Sequence, residues 1–364
     1  MEKKPRFTFI DEFRGLVGVM MALGHSNYYF NSAWLTLDPL DPFFTDTPQF
    51  LLRYMGYLCA PGFLMMNGAM VYYVFKRRLH NGESAARARW GLIQRGLFLV
   101  AVQLIWVNAS WSGFARLRLT HFGIIATIGM SMVVLAGMVS WRWQWRALVA
   151  AAAFLVHPFL LQIPYDLHGP AHYPMQLLVD SGDFNKYPLI PWFALATVGS
   201  VMAHFWFEVW HDPQRRARNS VRLGLGLLAL AWLVRFGHGW GNIFAWNTFF
   251  SYSFFLVQKY PPSLVHQLWF AGSVIFVVGV FSWIDVRSRV LRPLATVGRV
   301  PLFFYAIHIP LLAIFSRRLG FFYHEGAVLA SLLGWVCLLA IMYPLAVWFG
   351  GVKRRSRAWF IRMI

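Results

Sequence analysis

The sequence predicts an all-α, polytopic membrane bundle of about ten transmembrane helices with both termini on the cytoplasmic side. Three observations carry that expectation. The 364 residues are 58% hydrophobic and only 13% charged, with a mean hydropathy of +0.51, whereas a soluble domain carries about 25% charged residues. Apolar runs close to the ~20 residues that cross a bilayer recur along the chain. Lysine and arginine fall unevenly between those runs. Residues 1–364 read as a single membrane domain, with no internal repeat and no low-complexity stretch.

The segments follow in order. Gly15–Phe30 begins just after Asp11 and Arg14 and carries His25. Phe50–Phe75 runs into Lys76-Arg77-Arg78, and Gly91–Val107 starts beyond Arg87 and Arg89. Gly123–Val139 stops short of Arg142, and Leu148–Ile163 starts after Arg146. Leu189–Trp210 separates Lys186 from Arg215. Leu223–Val234 is short, so it is expected to extend or to be partly buried in the bundle. Leu264–Trp283, Leu294–Phe315 and Gly326–Phe349 complete the set.

With the N-terminus inside, Lys3, Lys4, Arg6, the Lys76–Arg89 loop, Arg142, Arg146, Arg215–Arg222, Arg287–Arg299 and Lys353–Arg362 fall on the cytoplasmic side. The other side receives only Arg53, Arg116, Arg118, Lys186, Arg235, Lys259, Arg317 and Arg318. This is the positive-inside asymmetry. It accounts for most of the net charge of +19, together with attraction to anionic lipid headgroups, and removes the case for a nucleic-acid partner. No cleavable signal peptide is read after Met1–Arg6. Cys59 and Cys337 both fall in predicted spans and imply no disulfide framework. Trp34, Trp90, Trp141, Trp143, Trp145, Trp283 and Trp348 stand near span ends, where indoles anchor at the interface. The outer segments Asn31–Gln49, Pro164–Tyr187 and Gly237–Pro262 read as packed loops or short interfacial helices placed to cap a cavity.

Ionisable residues inside a span are expensive and line pathways or active sites. At about 100° per residue, Asp11, Arg14, Gly18, Met21 and His25 share one helix face, with Arg14 and His25 roughly 16 Å apart along the axis. His25 is either hydrogen-bonded to a neighbouring helix or a general base or transient acyl acceptor. Arg14 is either a snorkelling positive-inside residue or a clamp for phosphate or for Asp11. Arg77, Arg78 and Arg95 belong to the densest basic patch, which serves topology alone or binds phosphates. Asn67 carries an amide that needs partners inside the second span. Tyr305 and His308 are three apart and share a face, either toward the cavity of His25 or into the core. Asn108, His121, His157 and Gln103 fit helix–helix contacts. His204, Glu208 and His211 have a spacing compatible with a metal, but no metal site is assigned, and CxxC, HExxH and Walker motifs are absent.

The stretch Arg6 to His25, R-F-T-F-I-D-E-F-R-G-L followed by M-M-A-L-G-H, resembles the start of the bacterial branch of the heparan-alpha-glucosaminide N-acetyltransferase catalytic-domain family. That family is related to the acyltransferase-3 membrane proteins that O-acylate cell-surface glycans. Further blocks match in order: Leu58-Cys59-Ala60-Pro61-Gly62-Phe63 with Asn67-Gly68, Arg95-Gly96-Leu97, and Tyr187-Pro188-Leu189-Ile190-Pro191-Trp192. They continue with Lys259-Tyr260-Pro261-Pro262-Ser263 and Gly298-Arg299-Val300-Pro301-Leu302-Phe303-Phe304-Tyr305 with His308-Ile309-Pro310.

The resemblance implies a multi-pass acyltransferase of a bacterial plasma (inner) membrane. It would move an acetyl group from cytosolic acetyl-CoA, or another acyl-CoA, to a glycan or related small acceptor at the outer face. Acyl-CoA is then a co-substrate and no cofactor is tightly bound. The family's arginine and histidine map onto Arg14 and His25. Arg14, Arg77, Arg78 and Arg95 would hold coenzyme A, with its pantetheine arm running past Gly18. Asp11 and Asn67 would orient the site, and Tyr305 and His308 would orient His25 or supply a proton. The chain departs from the family pattern at Gly24, Asn27, Tyr28 and Gln103, where acidic or basic residues are expected. A transporter or flippase of a small or lipid-linked substrate and a non-catalytic family member are the alternatives, and a homo-oligomer is open.

Overall fold

The computed structural model describes residues 7–36, 46–284, 289–356 and 358–364. Lys3, Lys4, Arg6, Asp38, Asp41, Arg287 and Arg357 lie outside the described residues, as do the side chains of Arg289 and Arg362. The described residues are helical, with no β structure beyond two isolated bridges, Asn31 with Gly326 and Lys259 with Pro262.

Eleven main helices run in chain order. They are α1 Thr8–Phe30, α2 Thr47–His80, α3 Ala85–Ser110 and α4 Ile124–Met138. Next come α5 Trp143–Leu160, α6 Leu189–Val209, α7 Pro213–Phe236 and α8 Leu264–Trp283. The last are α9 Arg292–Gly298, α10 Pro301–Arg318 and α11 Val328–Arg355. Starts are set by local chemistry: Asp46, Ser84, Asp212 and Ser263 each accept the backbone N–H three residues on, satisfying donors that a helix leaves orphaned.

Every predicted segment is helical, yet among the described residues six helices are long and apolar enough to cross a membrane on their own, or seven if α9 and α10 form one span. The other three expected spans fall short for different reasons. Helix α1 carries Asp11, Glu12 and Arg14. Helix α4 has 15 residues, about 22 Å against a hydrocarbon core of about 30 Å. Helix α5 holds Arg146 and His157. The seventh predicted segment lengthens at both ends into α7. The ninth is not continuous: α9 and α10 meet at 85°. Pro301 drives the residue before it out of the helical region, and Val300 sits at φ −131°, ψ 49°.

Helices α2, α6 and α8 are inner helices, with 72% of their apolar windows buried, against 28% for α3, 22% for α7 and 17% for α11. Helix α1 is central too and packs on α2, α8, α9, α10 and α11. Two close approaches need glycine. A Cβ on Gly298 would stand 1.7 Å from the Asp11 carbonyl oxygen, and one on Gly15 would stand 1.9 Å from that of Leu294. The same exchange joins α2 to α6 through Gly68 and Gly199. Without a hydrophobic drive between helices in lipid, such backbone proximity holds the bundle.

The connection between α7 and α8 is packed around one arginine. Arg235, 1% exposed, donates to the carbonyls of Phe254, Phe244 and Ser253 and to Asn242 Oδ1. It is the peg on which residues 237–262 fold rather than a topology signal.

Candidate active site

A cavity of about 1870 Å³ opens among α1, α2, α3, α4, α10 and the loops. Arg14, Arg78, Arg87, Arg95, Arg299 and Lys353 line one end of it. Arg118, His121, Lys186, Tyr187, Lys259 and Tyr260 line the other. His25, Gly24, Asn67 and Tyr305 lie on its wall between them.

The central feature is a pair of histidines. His25 Nδ1 lies 2.7 Å from His308 Nε2, with the rings parallel and their centroids 5.0 Å apart. His308 Nδ1 lies 2.8 Å from the Phe304 carbonyl oxygen. A carbonyl only accepts, so His308 Nδ1 carries its hydrogen. In the neutral pair, His308 Nε2 then accepts from His25 Nδ1–H. His25 Nε2 is left with a lone pair on the cavity wall. Trp111 meets the His25 ring edge-on at 5.1 Å and Tyr305 does so at 6.2 Å.

Local chemistry holds this pair in place. Pro310 has no N–H, so the Ala306 carbonyl loses its helical partner. Trp106 Nε1 donates to that carbonyl at 2.7 Å and ties α3 to α10 beside His308. Residues 102–107 of α3 form a π-helical turn, whose five-residue spacing aligns Gln103 with Asn108. Gln103 Nε2 donates to Asn108 Oδ1 at 2.8 Å, and Gln103 Oε1 accepts from Ile125 N at 3.1 Å. An amide suits this position because it donates at one end and caps α4 at the other. Asn27 likewise serves packing, accepting from Asn31 and Ser331.

At the basic end, Asp11 lies between two guanidinium groups, 4.0 Å from Arg14 and 3.9 Å from Arg299. Arg78 lies over Gly91, where a Cβ would stand 1.9 Å from its Nη1. Arg95 is close enough to Arg14 and to Arg78 to be repelled by both charges. Such a cluster stays together most readily around an anion.

At the other end, Lys259 Nζ donates to the Gly56 carbonyl at 3.3 Å. It also sits over the rings of Tyr57 and Tyr260, at 5.3 and 5.2 Å. The Tyr187 and Tyr260 hydroxyls are 2.9 Å apart, and burial pushes both well above the usual phenol range. They therefore remain neutral hydrogen-bond donors. Burial lowers His121, opposed by the Asp183 carbonyl.

The structure brings His25, Tyr305, Arg14, Arg78, Arg95 and Asn67 to one cavity, with His308 buried behind His25 and off the wall. Asp11 stands behind Arg14, and Asn67 Nδ2 reaches toward the Ile128 carbonyl at 3.4 Å. Two expectations are corrected. Arg77 is exposed and off the cavity wall, because one residue of helical rotation turns it away from Arg78. A Cβ on Gly18 would stand 3.6 Å from Val297 Cγ1, so this glycine seats α1 on α9 instead of clearing a path. Among the described residues no group of three or more His, Cys, Asp or Glu could hold a metal. Glu208 instead meets Tyr72, Lys76 and His204. Sequence reasoning gave no chemical role to Lys259, Tyr187, Tyr260, Arg299 or Lys353. The blocks Tyr187–Trp192, Lys259–Ser263 and Gly298–Tyr305 were the available signal for all but Lys353.

A family model described as heparan-alpha-glucosaminide N-acetyltransferase, catalytic, matches residues 6–237. The matched range holds Arg14, His25, Asn67, Arg78 and Arg95, while Tyr305 and His308 lie beyond it. No curated protein matches the chain.

Proposed function

Because the chain belongs to the heparan-alpha-glucosaminide N-acetyltransferase catalytic family, a family of membrane transferases, we propose that it moves an acyl group, acetyl first among them, from acyl-CoA to a hydroxyl or amine acceptor. The observation that carries this reading is the chain of contacts Phe304 O, His308, His25, with His25 Nε2 turned to a cavity that is basic at one end.

The thioester donor enters by the basic end, where Arg14, Arg78, Arg95 and Arg299 neutralise its phosphates. The run of roughly 16 Å from Arg14 to His25 is within the reach of a pantetheine arm. His25 Nε2 takes the proton from the acceptor as its oxygen or nitrogen attacks the thioester carbonyl. His308 Nε2 accepts from His25 Nδ1–H and steadies the imidazolium that forms. The carbon–sulfur bond breaks, and the leaving thiolate receives the proton from His25. Lys259 and the Tyr305 hydroxyl supply positive potential and a donor for the carbonyl oxygen as it gains charge.

The lysine and arginine distribution supports an N-in, C-in orientation, with the basic end cytosolic and the Tyr187–Tyr260 end outside. On this reading a glycan or small acceptor arrives from outside, in a bacterial inner membrane. The test is acyl transfer from labelled acetyl-CoA in proteoliposomes. His25→Ala is expected to lose transfer by about a hundredfold or more while keeping its thermal unfolding profile. Full activity in that variant removes the reading.

A further inference from the structure

The exposed tryptophans near helix ends divide into two sets. Trp141, Trp145, Trp283 and Trp348 are exposed and off the cavity wall, where an interfacial belt places them. Trp90 and Trp359 are just as exposed, at 55% and 58%, but line the basic end of the cavity.

Their setting is specific. Trp90, Gln94 and Phe98 recur every four residues along α3 and so form one stripe. Trp359, on the short helix Trp359–Met363, meets Phe98 edge-on with centroids 6.0 Å apart. Gln94 therefore stands one turn from Trp90 and one turn from Phe98, the residue that Trp359 meets. It is exposed, lines the cavity and makes no hydrogen bond among the described residues. Cations flank the stripe: Arg95 follows Gln94, Arg87 precedes Trp90, and Arg78 lies over Gly91.

Each component has a chemical partner. Indole faces stack on any nucleobase. A glutamine amide offers a donor and an acceptor together, which matches the N6–H2/N7 edge of adenine, whereas the corresponding N7/O6 edge of guanine presents two acceptors. Guanidinium groups take the phosphates. We propose that Trp90, Gln94 and Trp359 form an adenine-binding platform that holds the nucleotide end of the acyl donor. This rests on the acyl-CoA reading above and adds residues that recognise the base.

The test titrates the full chain in detergent with adenosine 3′,5′-bisphosphate and with its guanosine counterpart, by calorimetry. The adenosine compound is expected to bind the wild type about tenfold more tightly than the guanosine one. Trp359→Ala is expected to weaken the adenosine compound about tenfold, with Trp359→Phe retaining most of the affinity. Gln94→Leu is expected to abolish the preference between the two bases. Trp145→Ala, outside the cavity, serves as control and is expected to bind as wild type. Turnover of S-acetyl-pantetheine, which has no base, is expected to be unchanged in Trp359→Ala. Wild-type affinity and base preference in both Trp359→Ala and Gln94→Leu would overturn the platform; the donor reading would survive if Arg95→Ala still weakens acetyl-CoA. Failure of the wild type to bind acetyl-CoA at all would overturn both.

Discussion

His25 Nδ1 and His308 Nε2 stand 2.7 Å apart although 283 residues separate them in the chain. The contact joins the central helix α1 to α10, which follows the 85° bend at Pro301. Its directionality is set from the far side, where the Phe304 carbonyl fixes the hydrogen on His308 Nδ1. The relationship makes His308 a positioning residue for His25 and leads to a graded prediction.

His308→Ala is expected to lower kcat about tenfold to a hundredfold with little change in KM for either substrate. That loss is smaller than for His25→Ala, because general-base contributions run to about 10²–10⁴ and an orienting partner supplies part of that. His308→Gln retains an acceptor for His25 Nδ1–H and is expected to recover a large share of the rate. Steady-state kinetics on the three variants decide it. Equal rates in His308→Ala and wild type would leave the histidine pair without a catalytic purpose.

A second prediction separates two neighbours. Arg78 lines the cavity, and Arg77 is exposed and does not. Arg78→Ala and Arg95→Ala are each expected to raise KM for acetyl-CoA about tenfold, since a charge-assisted contact contributes about 1.5–3 kcal/mol. Arg77→Ala is expected to leave KM unchanged. The direct measurement is KM for the three variants at one ionic strength.

Much of this arrangement is legible in the sequence. Helical period alone puts Arg14, Met21 and His25 on one face, and all three line the cavity. All predicted apolar segments become helices, because hydropathy and turn residues act locally. What escapes is set by tertiary contacts. Gly18 shares the face of Arg14 and His25 by period, yet α9 covers it with Val297. Arg77 and Arg78 differ by a single step of rotation, finer than a segment boundary can be read. Arg235 counts as an outer cation until the loop that wraps its guanidinium is seen. Lys259 lies in a loop without periodicity, so only the fold brings it to the cavity.

Lys259 gives the third prediction. Its ammonium lines the cavity, donates to the Gly56 carbonyl and sits over the Tyr57 and Tyr260 rings. Lys259→Met is expected to lower kcat about a hundredfold, the scale of losing one group that stabilises a developing oxyanion. KM for acetyl-CoA, whose phosphates bind at the opposite end, is expected to hold. Lys259→Arg keeps the charge and is expected to be intermediate. An unchanged kcat in Lys259→Met would restrict Lys259 to packing on Tyr57 and Tyr260.

The fourth prediction concerns the α1–α9 contact behind the basic end. Gly298→Ala would drive a methyl group into the Asp11 carbonyl, 1.7 Å away. Backbone on both sides leaves no flexible atom to move, so the helices must separate. Overpacking of this kind costs about 1–3 kcal/mol, and a lower thermal midpoint in detergent is expected. Because Arg299 follows Gly298 and lies 3.9 Å from Asp11, the same displacement is expected to raise KM for acetyl-CoA. Gly24→Ala is the contrast. A Cβ there meets nothing within 4 Å and points into open space beside His25. That variant is expected to unfold at the wild-type temperature. If it loses activity, the loss belongs to the acyl space next to His25 and not to stability. A wild-type midpoint in Gly298→Ala would mean that α9 has room to slide along α1.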